Sequence, residues 1–243
     1  MNKIIFFFLL ILYGSLPALA QKNDKPLTIE RLTDSFYIYT TYRPIDNNPY
    51  PANSMYLVTG KGVVMFDTPW DTTQFQPLLD SIWQRHHQQV VLCIATHFHA
   101  DRTAGLAFLK SKGVPTYTSK LTYDLCKQRA EKQAQFYFIN DTTFNFGNYS
   151  FQTYYAGPGH SADNIIIWFN AFKIIYGGCL LKSTENKSVG NIDDANLTEW
   201  PKTLKKIMQK FPNPAFVIPG HFGWEPGALK HTLKLVEEYN RSH

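Results

Sequence analysis

Cysteine is scarce in this chain of 243 residues, which has only Cys93, Cys126 and Cys179. An odd count in an exported protein leaves at least one sulfur free or ligating a metal. Runs of basic residues are also lacking. A formal charge of +5 with no dense lysine or arginine stretch excludes a nucleic-acid groove as the organising feature. No linker, low-complexity tract or internal repeat divides the chain into independent units. The one N-terminal apolar block, Ile4 to Tyr13, falls short of the ~20 residues that a membrane-spanning helix needs.

That block is instead framed as a secretory signal. Lys3 precedes it and the small-residue exit Ala18-Leu19-Ala20 follows it, so residues 1–20 are expected to be removed and the mature chain to start near Gln21. Cleavage takes Lys3 and no acid, which leaves a formal charge of +4. The expected destination is the periplasm, with no stable membrane anchor once the signal is gone.

The remaining residues, 21–243, read as one domain of mixed strands and helices. With 44% hydrophobic and 15% aromatic residues, the chain can bury a full core. Short β-branched and aromatic blocks at Leu27 to Thr41 and Met55 to Phe66 predict strands, the second block turning at Gly60-Lys61-Gly62. Between them, Tyr42 to Pro51 is punctuated by three prolines and reads as a loop that carries two tyrosines and an isoleucine, an apolar flap in search of a ligand. Further strands are expected at Val90 to Ala95, Val114 to Tyr117, Thr143 to Phe146, Tyr149 to Tyr155, Ile165 to Phe169, Lys173 to Tyr176 and Ala215 to Ile218. Helical spacing covers Thr72 to His87, capped by Asp71, then Thr103 to Lys112, Leu121 to Gln133, Thr198 to Phe211, and Pro226 to Tyr239 with a proline in its first turn.

The stretch Thr96-His97-Phe98-His99-Ala100-Asp101 carries the chemistry. It packs three metal donors into five residues after an apolar strand, and an extended backbone would turn His97, His99 and Asp101 to one face. Further donors lie in loops bordering strands: His160, Cys179 and His221, each preceded by a glycine that leaves room for close backbone approach. Six donors suffice for two zinc ions: an open site of three imidazoles (His97, His99, His160) and a second of Asp101, Cys179 and His221. Taken singly, each histidine is more simply a hydrogen-bonded structural residue, but the ordered set is hard to obtain from packing. His86, His87, His231 and His243 lack motif context and read as surface residues. Cys93 reads as a small buried hydrophobe and Cys126 as a helix residue.

On these residues the chain resembles the class B metallo-β-lactamases, in particular the subclass whose second zinc is held by Asp, Cys and His. The resemblance spans essentially the whole mature sequence. It rests on His97-x-His99-x-Asp101, on Gly159-His160-x-x-Asp163-Asn164, on Gly177-Gly178-Cys179-x-x-Lys182, on Gly190-Asn191 and on Gly220-His221. It implies a four-layer αβ/βα sandwich and a monomer that binds two zinc ions. The implied reaction opens the β-lactam ring of penicillins, cephalosporins and carbapenems with a zinc-bound hydroxide, conferring antibiotic resistance. Asp101 and Asn191 are implied in catalysis, Lys182 and Asn191 in binding the small-molecule substrate, Asp67 in bracing the metal loop, and the Tyr42 to Pro51 segment in closing over the substrate.

Two departures separate the chain from other hydrolases with the same first motif. Arg102 stands where enzymes resembling glyoxalase II place a metal-binding histidine, and Cys179 replaces their bridging aspartate. Ala104, where the family often has glycine, implies a modest packing change. Arg102 is also expected to bear on which β-lactams are preferred. The competing readings are a thioesterase or lactonase of the same fold, and an exported zinc-binding protein without catalysis.

Overall fold

Strand β4 (Gly62–Phe66) shows why this sequence makes a layered sandwich: every residue in it is buried, yet alternate side chains enter different cores. Val64 and Phe66 join one apolar cluster, while Val63 and Met65 join another. Strands β10 (Ile166–Phe169) and β11 (Ile174–Gly178) repeat the pattern, with Ile167, Phe169, Ile174 and Tyr176 on one side and Ile166, Trp168 and Ile175 on the other. Continuous apolar runs of this kind belong to strands covered on both faces.

The computed structural model describes residues 27–243, so the expected signal at residues 1–20 and the start of the mature chain lie outside the described residues. A seven-stranded sheet runs in chain order through β1 (Thr28–Thr33), β2 (Phe36–Ile45), β3 (Asn48–Thr59), β4, β5 (Val90–Ile94), β6 (Thr116–Ser119) and β7 (Phe136–Phe138). A five-stranded sheet follows the order β12 (Phe216–Pro219), β11, β10, β9 (Tyr149–Tyr154) and β8 (Thr143–Phe146). The two sheets bury Phe36, Phe66, Phe151 and Phe169 between them. Helices α1 (Phe75–His86) and α3 (Leu106–Ser111) pack on the outer face of the first sheet through Leu78, Ile82, Leu106 and Leu109. Helices α5 (Trp200–Lys210) and α6 (Ala228–Ser242) cover the second through Trp200, Leu204, Ile207, Leu229 and Val236. The architecture is therefore the expected four-layer αβ/βα sandwich. Among the described residues, no helix is long and apolar enough to cross a membrane.

Several local expectations change. The segment from Tyr42 to Pro51 is not an irregular loop: β2 and β3 continue through it as a ribbon, with Pro44 opposite Pro49 and Ile45 opposite Asn48. Asp46 and Asn47 make the turn with φ of 49° and 63°, the left-handed pair that a two-residue hairpin requires and that Asp and Asn tolerate. The facing prolines put both missing N–H donors on a single rung of the ladder. Asp101 does not follow an extended backbone either. It lies in the short helix α2 (Ala100–Thr103), whose N-cap is His99. Helix α4 (Lys120–Gln128) stops well before Gln133, and α6 begins after Gly227, which leaves Pro226 outside it.

Parallel pairing places the functional loops. β4 pairs with β5 and β11 with β12, each in parallel, so the chain leaves Phe66 beside Ile94 and leaves Gly178 beside Pro219. Asp67, Thr96, Cys179 and His221 thus emerge at the same kind of strand end, the C-terminal one.

Candidate metal centre

All six predicted donors come together. His97 and His99 follow β5, His160 lies in the loop between β9 and β10, Cys179 follows β11 and His221 follows β12. His97 Nε2 lies 3.1 Å from His99 Nδ1, which in turn lies 3.1 Å from His160 Nε2. Beside them, Cys179 Sγ is 3.1 Å from Asp101 Oδ2 and 3.2 Å from His221 Nε2. Asp101, Cys179 and His221 form one compact donor group, and so do His97, His99 and Asp101, with donor atoms within 4.8 Å of one another in each. The helical turn at Ala100 aims Asp101 at Cys179 and His221 while the histidines before it face His160.

This donor set fits a cation. His221 Nδ1 donates to the Pro51 carbonyl at 2.7 Å and His99 Nε2 donates to Asp194 Oδ2 at 3.1 Å, so each ring turns its other nitrogen inward as a bare lone pair. His99 Nδ1 can then accept a proton from His97 or from His160, but not from both. Burial, reinforced by neighbouring His99, holds His97 well below the usual histidine range, and burial reinforced by Lys182 does the same to His160. Neutral, buried imidazoles with lone pairs converging on one point are ligands more readily than hydrogen-bond partners.

Close approach at this centre depends on glycine. A Cβ on Gly220 would stand 2.7 Å from Arg102 Nη2 and 2.8 Å from Cys179 Sγ, too close for any other residue. Gly178, with φ of 52°, makes the turn that delivers Cys179. The loop carrying His160 is set by Asn164, whose carbonyl oxygen accepts from Ser161 N at 2.9 Å and whose amide donates to Gly157 O at 3.1 Å.

A buried polar layer supports the donors. Asp67 accepts from Thr96 N at 2.6 Å, Thr96 Oγ1 at 2.9 Å and Tyr176 OH at 2.5 Å, tying the end of β4 to the residue before His97. Burial lifts the Asp67 carboxyl to about 6 even though Arg102 and these donors pull it down. Arg102 is wholly buried beneath the donors and is not part of the cavity wall. Its guanidinium donates to Cys179 Sγ, to Asp101 Oδ2, to the carbonyls of Asn53 and Gly220 and to Tyr176 OH. Burial opposes the charge on Asp101, yet the Arg102 charge holds its carboxyl well below the usual range.

The centre opens into a cavity of about 380 Å³. Arg43, Ile45 and Tyr50 of the hairpin line it with Trp70, and Lys182 and Asn191 line it from the loop after β11. The hairpin is thus less apolar than its sequence suggests. Lys182 is buried over the Trp200 ring, with Nζ 5.4 Å from the centroid, and no acid pairs with it among the described residues. Asn191 lines the cavity with its side chain occupied locally, donating to Asp193 Oδ2 at 3.3 Å and accepting from Asp193 N at 2.9 Å. Cys93 and Cys126 are buried, free thiols. Two of the histidines read as surface residues are half-buried and engaged in tertiary hydrogen bonds: His86 with Tyr56 OH at 3.0 Å, and His231 with the Asn186 carbonyl at 2.8 Å. Sequence reading missed Asp194, which braces His99 and is itself paired with Arg129 at 2.8 Å; no motif marks it.

The chain is similar to known proteins along most of its length. Residues 47–221 match the family described as the metallo-beta-lactamase superfamily. The chain is 41% identical over 214 residues to a metallo-beta-lactamase type 2 of Elizabethkingia meningoseptica, covering 88% of this chain and 86% of the relative. It is 38% identical over 240 residues to the metallo-beta-lactamase IND-1 of Chryseobacterium indologenes, covering 98% and 100%. A solved metallo-beta-lactamase from Pontibacter korlensis superposes with a TM-score of 0.84 at 32% identity, over 87% of this chain and 99% of that one.

Proposed function

The chain belongs to the metallo-β-lactamase superfamily, and we propose that it hydrolyses the ring amide of penicillins, cephalosporins and carbapenems with two bound zinc ions, conferring resistance to them. The observation that carries this reading is the Asp101, Cys179 and His221 trio beside the three histidines, under a cavity with an unpaired lysine. His97, His99 and His160 would hold one zinc, and Asp101, Cys179 and His221 the other. Zinc in such a cage supplies Lewis acidity and acidifies water toward a pKa of about 7.

The chain's own residues do the rest. Lys182 receives the carboxylate common to β-lactams, its ammonium projecting into the cavity without a competing acid. Asn191 turns its amide from Asp193 to donate to the developing oxyanion. Asp101, held ionised by Arg102, keeps a fixed negative charge at the reacting centre. The hairpin closes over the substrate to exclude water, anchored at its base where Gln74 accepts from Tyr42 N at 3.1 Å and donates to Tyr42 O at 3.4 Å. The proposal includes export of the chain through residues 1–20 to the periplasm, where it works as a monomer.

Purified mature protein should turn over a chromogenic cephalosporin, lose that activity to a chelator and regain it with zinc. No hydrolysis at saturating zinc would overturn the proposal and leave a zinc-binding protein, and preference for a thioester or lactone would move it to another hydrolase class.

A further inference from the structure

The hairpin puts a cation where a purely apolar flap would have none. Alternation along β2 sends Arg43 and Ile45 to the cavity side, and register places Arg43 opposite Tyr50. The Tyr50 ring lies 5.1 Å from His221, so this rung of the hairpin stands against the Asp101, Cys179 and His221 trio. The Arg43 guanidinium sits 5.0 Å from the Trp70 ring centroid. A cation–π contact at this distance holds the guanidinium beside the ring without using up its N–H donors, which are left for an acceptor.

No acid within reach uses those donors. Among the described residues Arg43 has no ion pair, and the cavity's two acids are committed, Asp101 to Arg102, and Asp194 to His99 and Arg129. Two unpaired cations therefore line one cavity from different sheets, Arg43 from the first and Lys182 from the loop leaving the second. With Lys182 assigned to the carboxylate on the fused ring, Arg43 is left for an anion elsewhere on the substrate. The opposite end of a β-lactam is its acyl side chain.

We infer that Arg43 is a specificity-determining residue that receives a second carboxylate, carried on the acyl side chain, so that dianionic β-lactams are favoured over their monoanionic analogues. The inference rests on the β-lactamase reading above. Carbenicillin and benzylpenicillin test it cleanly, because they differ only by that side-chain carboxylate. The measured quantity is the ratio of kcat/KM for carbenicillin to that for benzylpenicillin.

In Arg43→Gln the ratio should fall about fivefold, mainly through KM for carbenicillin, which is the size expected of one solvent-accessible ion pair. Arg43→Lys should keep most of the ratio, since the charge remains. Raising salt toward about 1 M should bring the unaltered protein's ratio down to that of Arg43→Gln. An unchanged ratio in Arg43→Gln, or an equal fall in Arg43→Lys, overturns the inference and makes Arg43 a packing residue of the hairpin. Absence of benzylpenicillin turnover in the unaltered chain overturns the β-lactamase reading and this inference with it.

Discussion

Arg102 donates to the sulfur of Cys179 from two nitrogens, Nη2 at 3.0 Å and Nε at 3.2 Å, and the same two nitrogens meet Asp101 Oδ2 at 3.0 and 3.1 Å. One buried guanidinium thus bridges two of the three donors expected to hold the second zinc. Its fork geometry and permanent charge suit that task in a way a lysine cannot match. The cost of burying the charge is offset by Asp101, Cys179 and Asp67, whose Oδ2 lies 3.6 Å from Nη1.

Removing Arg102 should therefore cost more than a surface cation would. Arg102→Met leaves the Asp101 carboxylate buried without its counter-charge, and the metal-free protein should lose about 3–5 kcal/mol in urea denaturation. Arg102→Lys should recover only part of that, because a point charge cannot serve Cys179, Asp101, Asn53 and Gly220 together. Cobalt substitution gives a second readout: the thiolate-to-metal absorption of Cys179 should weaken in both variants. Unchanged stability with an unchanged spectrum would show that Arg102 is a spectator.

Cys179→Ala should separate the two metal sites. It deletes the only sulfur donor of one trio and leaves the His97, His99 and His160 nitrogens untouched, so metal analysis should find about one zinc where the parent chain binds about two. β-Lactam hydrolysis should fall by roughly 100-fold or more, the loss expected when several kcal/mol of charge stabilisation is removed. Full activity in this variant would take the second site out of the reaction.

How much of this was readable beforehand depends on whether a feature repeats in the sequence. The two-sided burial of β4, β10 and β11 is written in unbroken apolar runs, and the donors stand beside strand ends and glycines that mark them. The hairpin was hidden because Pro44, Pro49 and Pro51 mimic a loop, whereas the turn depends on the left-handed tolerance of Asp46 and Asn47. Strand β7 is only three residues of edge, half-exposed on both faces, and so has no alternation to detect. Arg102 was legible only as a missing histidine. Its burial follows from the α2 turn, and no local pattern predicts that a guanidinium will lie beneath Cys179. Asp194 reaches His99 across 95 positions of chain, beyond any spacing rule.

Lys182→Ala should act on binding. The ammonium is buried and its pKa lowered by that burial, though Cys179 and Asp101 pull it back up. It has no acid partner among the described residues, so truncation breaks no internal ion pair. KM for a penicillin should rise about tenfold with kcat changed much less, the pattern of a contact made equally in ground and transition states. An effect confined to kcat would contradict carboxylate binding and would place Lys182 at the scissile bond instead.

The metal-free protein should lose stability between pH 7 and 6. Burial keeps His97 and His160 well below the ordinary value of 6.5, so over this interval the unfolded chain takes up protons that the folded chain refuses. Stability then falls as pH drops through 6.5, by on the order of 1 kcal/mol for the pair across that unit. Asp67 works in the opposite sense. Its carboxyl is raised from 3.8 to about 6, so its ionisation burdens the folded state above pH 6 and acidification below 6 relieves it. The histidine effect is therefore clearest above pH 6, where Asp67 remains mostly ionised. Urea midpoints of chelator-treated protein at pH 7.5, 7 and about 6 measure it, and His160→Asn should make the slope shallower without abolishing it, because burial also lowers His221 and His86. A flat profile across this window would mean that the imidazoles are protonated in the folded, metal-free state, which would undercut the lone-pair argument for a cation between His97, His99 and His160.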